Sequence, residues 1–265
     1  MSIINRITGG VCTGPAKPGD DGLTVYGPFS ATEIRQRVYD FRLCPKADQD
    51  EVLSGVDGAD VRLSGVVIVG GIKAILAGNG DHPGNDVRYA RWDLEDCVII
   101  GAGRRCPEAQ DGTTVTMRRC WVHDFGQAFD VRSFGAWAHR GARIIAEDCL
   151  FTQSELWPWG LDLLTAMTDM GNHIGQAVND HGLAALLRPR TYLPGPCRGL
   201  TADTGGLILA TRCYRNRRWI RIEGCNNYID RAAARDIVTR IATACQDMRP
   251  YLGQGLTDFF DIATA

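Results

Sequence analysis

Arg143-Ile-Ile-Ala-Glu-Asp-Cys149-Leu-Phe is a short run in which apolar and polar residues tend to alternate, followed by two polar residues and a cysteine. The same signature recurs in Tyr89-Ala-Arg-Trp-Asp-Leu-Glu-Asp-Cys97-Val-Ile and Thr114-Val-Thr-Met-Arg-Arg-Cys120-Trp-Val. It returns in Leu207-Ile-Leu-Ala-Thr-Arg-Cys213-Tyr and Trp219-Ile-Arg-Ile-Glu-Gly-Cys225. A sixth member, Val61-Arg-Leu-Ser-Gly-Val-Val-Ile68, carries Val66 in the cysteine slot. Alternation with a period of two marks a half-buried strand, and its return at a near-constant interval marks a solenoid. Cys97 and Cys120 are 23 residues apart, and Cys120 and Cys149 are 29 apart, which suits one coil per repeat with loops of variable length. The expected fold is therefore all-β, a right-handed parallel β-helix, with the five cysteines stacked as an internal ladder at one turn.

The chain of 265 residues is read as a single β-helix domain. Residues Ser2 to Pro18, rich in glycine and small side chains, are read as a cap or loop. Ser30-Ala-Thr-Glu-Ile-Arg has the form of a capping box, which predicts a short helix or turn. The repeat is interrupted over 157–198, read as a helical insertion. From Asp230 to Met248, apolar Ile237, Val238, Ile241 and Ala244 stand at helical spacing, predicting a C-terminal capping helix that seals the last coil.

Hydrophobic residues make up 45% of the chain and charged residues 23%, with a net charge of -2, which argues against a general nucleic-acid binder. No apolar run approaches a membrane span, and no signal peptide is visible at Met1 to Gly10. The expectation is a protein made in the cytoplasm, and its ten cysteines, with no CxxC pair among them, are read as reduced thiols.

Between Asp50 and Gln153 a set of short motifs follows in order: Asp50-Glu-Val-Leu-Ser54, Val61-Arg-Leu-Ser64, Lys73-Ala-Ile-Leu-Ala-Gly-Asn-Gly-Asp81, Arg105-Cys-Pro107, Gly112, Val115-Thr-Met117 and Gly141-Ala-Arg-Ile-Ile-Ala-Glu147. This order resembles polysaccharide lyase family one of the pectate lyase superfamily, over about 100 residues. The resemblance implies calcium-assisted β-elimination on an acidic polysaccharide. Such a reaction removes the proton at C5 beside the carboxylate and expels the C4 oxygen, so cations must be placed where charge develops. Carried over, Arg105 is the candidate base and Lys73 the candidate carboxylate clamp. Asp50 is a candidate calcium ligand, with Glu51 and Asp21 (or Asp20) as partners. Gln110 stands where the family has its second arginine, leaving it a substrate-binding place without the charge. Ser54 stands where the family has a second calcium carboxylate.

Each residue also has a structural reading. Lys73 could be a solvated edge lysine, Arg105 could pair with Glu108 or Asp111, and Asp20 and Asp21 fit an ordinary turn between Gly19 and Gly22. Phe129 to His139 places Arg132, Trp137 and His139 near one strand face. That is a sugar platform on one reading, and a core tryptophan beside a satisfied histidine on the other. The alternative to a lyase is a non-catalytic structural or glycan-binding β-helix of a larger assembly, such as a phage particle.

Overall fold

The computed structural model describes residues 5–6, 14–15, 23–26, 32–40, 51–56, 59–69, 73–78, 90–101, 106–123, 125, 134–153, 198–218 and 220–246. They form a right-handed parallel β-helix of three parallel sheets, with eight, six and seven strands. One coil runs through the sheets in that order. Lys73–Ala77 lies in the eight-stranded sheet, Arg91–Glu95 in the six-stranded sheet and Val98–Ile100 in the seven-stranded sheet. The next coil repeats the path with Glu108–Ala109, Thr114–Arg118 and Trp121–His123, and the one after with Phe134–Ala138, Arg143–Glu147 and Leu150–Thr152.

Alternation decides which side chains face inward. Along the six-stranded sheet Val61, Trp92, Val115, Ile144 and Ile208 are successive register partners, and all are buried in one apolar cluster. Their neighbours Arg62, Asp93 and Thr116 point the other way. Gly55 makes room for the largest of these residues, since a Cβ there would stand 2.6 Å from the Trp92 indole.

The dipeptide before each seven-stranded-sheet strand is a tight corner. Its first residue is left-handed in every coil: Gln36 (φ 48°), Gly65 (62°), Asp96 (53°), Arg119 (51°), Asp148 (53°) and Arg212 (53°). Left-handed backbone is unfavourable for residues other than glycine. Here stacking offsets it, because the amide of each corner residue donates to the next coil: Asp96 N to Arg118 O (3.1 Å) and Arg119 N to Glu147 O (2.9 Å). The second residue points inward. Cys97, Cys120, Cys149 and Cys213 occupy that slot, all buried, with Val66 in the earlier coil. Each thiol also donates across its own corner, as in Cys97 Sγ to Glu95 O (3.3 Å) and Cys149 Sγ to Glu147 O (3.3 Å). Cys120→Ala is expected to destabilise by about 1 kcal/mol, the scale of a small core truncation. Chemical denaturation checks this, and an unchanged midpoint would contradict a packed ladder.

The fifth cysteine departs from the expected register. Arg221–Ile222 pairs with Arg198–Ala202 in the eight-stranded sheet, so the strand before Cys225 is not a six-stranded-sheet strand. Cys225 bridges Ala210, and Tyr228 is the residue opposite Cys213. The alternating signature is common to strands of all three sheets, so it cannot by itself assign a strand to one of them. Ser30-Ala-Thr-Glu-Ile-Arg also departs. Thr32–Arg35 is a strand paired with Val61–Ser64, because Ile34 gains more by packing on the core than the capping pattern offers locally.

The C-terminal helix spans Arg231–Ala244, with Asp230 as its N-cap accepting from the Ala233 amide. It buries Ala234, Ile237, Val238 and Ile241. It does not seal the last coil. Those four residues pack on Val38, Val67, Val69, Val98, Ile100, Trp121 and Leu150, the outward side chains of the seven-stranded sheet. The helix starts near Tyr214 and Ile229 and ends against the early coils. There Cys245 Sγ donates to Asp96 O (3.2 Å) and Gln246 Nε2 donates to Gln36 O (2.8 Å). At about 1.5 Å per residue, 14 residues span about 21 Å, close to the five strand spacings of about 4.8 Å from Tyr214 to Val38. Gly65 lies where the helix end comes closest, and a Cβ there would strike the Ala244 carbonyl. The helix is a lateral strap. Of the expected insertion at 157–198, only Arg198 is among the described residues, and it opens a strand.

Candidate functional site

The outward face of the eight-stranded sheet carries the concentration of polar chemistry. Ala77, Ala109 and Ala138 are register partners in the core cluster, so Leu76, Glu108 and Trp137, one residue earlier, face away from it. Two residues beyond Glu108 and Trp137 come Gln110 and His139, on the same side. The backbone keeps these rows in step, with Gln110 N donating to Ala77 O (2.8 Å) and His139 N to Ala109 O (3.0 Å). The alternation in Glu108-Ala-Gln110 and Trp137-Ala-His139 therefore places four side chains in one patch.

Glu108 is the centre of that patch and is 1% exposed. Its Oε1 accepts from Gln110 Nε2 (2.7 Å) and lies 3.1 Å from His139 Nε2. Its Oε2 is 3.7 Å from Lys73 Nζ. For His139 to donate to Glu108 its proton must be on Nε2, so the carboxylate selects the tautomer. Trp137 lies flat on the His139 ring, with centroids 3.8 Å apart and planes 1° apart. A buried carboxylate is tolerable only when its oxygens are met by donors or cations, and here three residues meet it. Lys73 has the most exposed side chain of this ion-paired set, at 12%, and so marks the side from which a solute can approach.

Lys73 and Gln110 thus come together, and Trp137 joins them through His139. Trp137 is buried, with one face against His139, so it is not an open sugar platform; the reading of a core tryptophan beside a satisfied histidine is the one that holds. Gln110 is buried as well, and its amide is engaged by Glu108. Glu51 is the register neighbour of Lys73 on the adjacent strand. Arg105, Asp50, Asp21, Asp20 and Arg132 lie outside the described residues. Glu108 is held by Lys73, His139 and Gln110, and Asp111 lies 3.9 Å from Arg140. Among the described residues no three His, Cys, Asp or Glu side chains converge as a metal ion would need. Sequence reasoning missed Glu108 as the hub. The available signal was the register of Glu108 with Trp137, which the variable loops hide.

The other conspicuous charges neutralise one another. On the outer face of the six-stranded sheet Arg35 meets Glu33 (2.8 Å), Arg91 meets Asp93 (3.1 Å) and Arg118 meets Glu147 (3.5 Å). At the corner Arg119 is clamped by Asp96 (2.7 Å) and Glu95 (2.5 Å), with Asp96 chiefly holding its guanidinium above the ordinary value. This face is a solvated ladder of exposed pairs, each worth little. No helix among the described residues is long and apolar enough to cross a membrane. In comparisons with known proteins the chain matches no family model, no curated protein and no solved structure.

Proposed function

We propose that this β-helix acts on an acidic polysaccharide laid along the outward face of the eight-stranded sheet, cleaving it by β-elimination. The observation that carries the reading is Lys73. It is an ammonium held by a buried carboxylate at the more open side of a polar cluster. A uronate carboxylate brought there would meet a cation already in place, which lowers the barrier to loss of the C5 proton. Glu108 is a positioning residue: it fixes Lys73 on one side and the His139 tautomer on the other. On the family resemblance Arg105 takes the proton, in a neutral form that its surroundings must create. The same resemblance assigns calcium to Asp50, Glu51 and Asp21, and the position of Glu51 beside Lys73 suits a cation shared with the substrate carboxylate. Calcium, when bound, would neutralise further charge on that carboxylate.

Elimination leaves an unsaturated uronate that absorbs in the ultraviolet. With polygalacturonate and alginate as substrates, wild type is expected to produce that absorbance in calcium and to lose it in chelator. Arg105→Lys keeps the charge but loses the fork, so turnover should fall by at least about a hundredfold. Absence of elimination on both uronates with calcium present, or undiminished turnover in Arg105→Lys, would refute the lyase reading. A second reading, a structural β-helix of an assembly such as a phage particle, is favoured by the exposed apolar side chains near the last coils: Leu207 (42%), Leu209 (49%) and Tyr228 (41%).

A further inference from the structure

Two thiols near the end of the solenoid differ from the rest of the ladder. Cys213 is buried at the corner slot, while Cys225 is partly exposed on the segment that follows Arg221–Ile222. Cys225 sits one spacing beyond Ala210, whose side chain ends at Cβ, so the Cys213 thiol reaches Cys225 directly. We infer that Cys225 and Cys213 form a dithiol that peroxide converts to a disulfide, with Cys225 the thiol attacked first and Cys213 the resolving thiol.

The surroundings assign these roles. Cys225 Sγ lies 3.5 Å from Asn227 O, and the neighbouring cation is Arg215, whose guanidinium lies 4.3 Å above the Tyr228 ring and donates to Ile220 O (2.7 Å). The hydrogen bond from Cys213, helped by Arg215, lowers Cys225 to about 6. Cys213 is pushed the other way by Cys225, by burial and by Asp148. At neutral pH the pair therefore holds one proton, with the thiolate on the more exposed sulfur, as peroxide attack requires. Cys97 and Cys120 are also in contact with each other, but burial raises both and bars the oxidant.

The atoms balance. The Cys225 thiolate attacks one peroxide oxygen; an S–O bond forms, the O–O bond breaks, and the departing hydroxide takes a proton to become water. The Cys213 thiol then attacks the sulfenic sulfur; an S–S bond forms and a second water leaves with the Cys213 proton. Two thiols are oxidised and one hydrogen peroxide is reduced. Neighbouring coils are about 4.8 Å apart, inside the usual Cα separation of a disulfide. The bridge would tie the segment Ile220 to Tyr228, from which the helix departs, to the coil below it.

The test treats the full chain at pH 7 with a slight excess of hydrogen peroxide, quenches with iodoacetamide, and maps peptides by mass. Wild type is expected to lose two hydrogens and yield one cross-linked peptide joining Cys213 to Cys225. Cys225→Ser should abolish the cross-link. Cys213→Ser should stop at a sulfenic acid on Cys225 that dimedone captures. Separately, alkylation of Cys225 in wild type should follow a midpoint near 6, and that midpoint should rise in Cys213→Ser, because its hydrogen bond is the largest cause of the lowering. A wild type that stays fully reduced under peroxide overturns the proposal. So does a disulfide that bypasses Cys225, or a Cys225 midpoint indifferent to Cys213→Ser.

Discussion

A chain ending at Asn227 is expected to lose most of its folding free energy and to self-associate. The truncation removes Ala234, Ile237, Val238 and Ile241 and leaves Val38, Val67, Val98, Trp121 and Leu150 facing water. Fully burying a large aliphatic side chain is worth about 1.5–3 kcal/mol, so the three large helix residues alone amount to roughly 5–9 kcal/mol before unfolded-state burial is discounted. Domains of this kind have a total stability of about 5–15 kcal/mol, so little margin would remain. The bared stripe runs along the solenoid and would seek the same stripe on another copy. Denaturant unfolding and size-exclusion chromatography check this. A truncated chain that stays monomeric with the wild-type midpoint would show that the strap is dispensable. Val238→Asp tests the same contact within the full chain. It places an unpaired charge against the valine row and should cost several kcal/mol.

Glu108→Ala should be the most damaging point change on the eight-stranded sheet, at about 3–5 kcal/mol, the cost of breaking a buried ion pair by removing one partner. Lys73 would keep a mostly buried ammonium with its carboxylate gone, and the hydrogen bonds from His139 and Gln110 would lose their acceptor. Glu108→Gln retains an acceptor oxygen and should cost less. Lys73→Met in the Glu108→Ala background should recover part of the loss, because it removes the stranded charge; such a cycle reads the coupling directly. Urea midpoints at unchanged slope would report it. If Glu108→Ala stays within about 1 kcal/mol of wild type, well below that range, the cluster is not the structural hub drawn above. A loss of uronate cleavage in Glu108→Gln without loss of stability would separate its positioning role from its packing role.

How much of this was legible beforehand differs from residue to residue. Val61, Trp92, Val115 and Ile144 could be aligned because alternation and the corner dipeptide recur together, and the cysteine slot follows from that alignment for Cys97, Cys120, Cys149 and Cys213. Cys225 could not, since its strand carries the same alternation but belongs to another sheet. The location of the helix was also open to a closer reading. Val67-Ile-Val69 and Val98-Ile-Ile100 are apolar on both sides of the strand, the pattern of a sheet covered on both faces. That pattern points to a strap on this flank rather than to a lid on the end.

Glu108, Lys73 and His139 were legible only in part. Local alternation put Trp137 and His139 on one face, and that holds. Their meeting with Lys73 depends on how many residues each loop takes before the next strand of the eight-stranded sheet begins. Those loops vary, so register between positions 73, 108 and 139 is set by the whole stack and not by spacing.

The sequence by itself determined the coil: a period of two buries one face of each strand, and a left-handed corner residue followed by a small inward side chain turns the chain at the same place in each repeat. Both are local properties, readable within a dozen residues. Only the tertiary structure decided which outward faces are covered and which charges meet. An outward side chain has the same local pattern whether it faces water, a helix or a buried carboxylate. Its partner lies one coil or more away, at a distance set by loop length and by the packing of all the coils between.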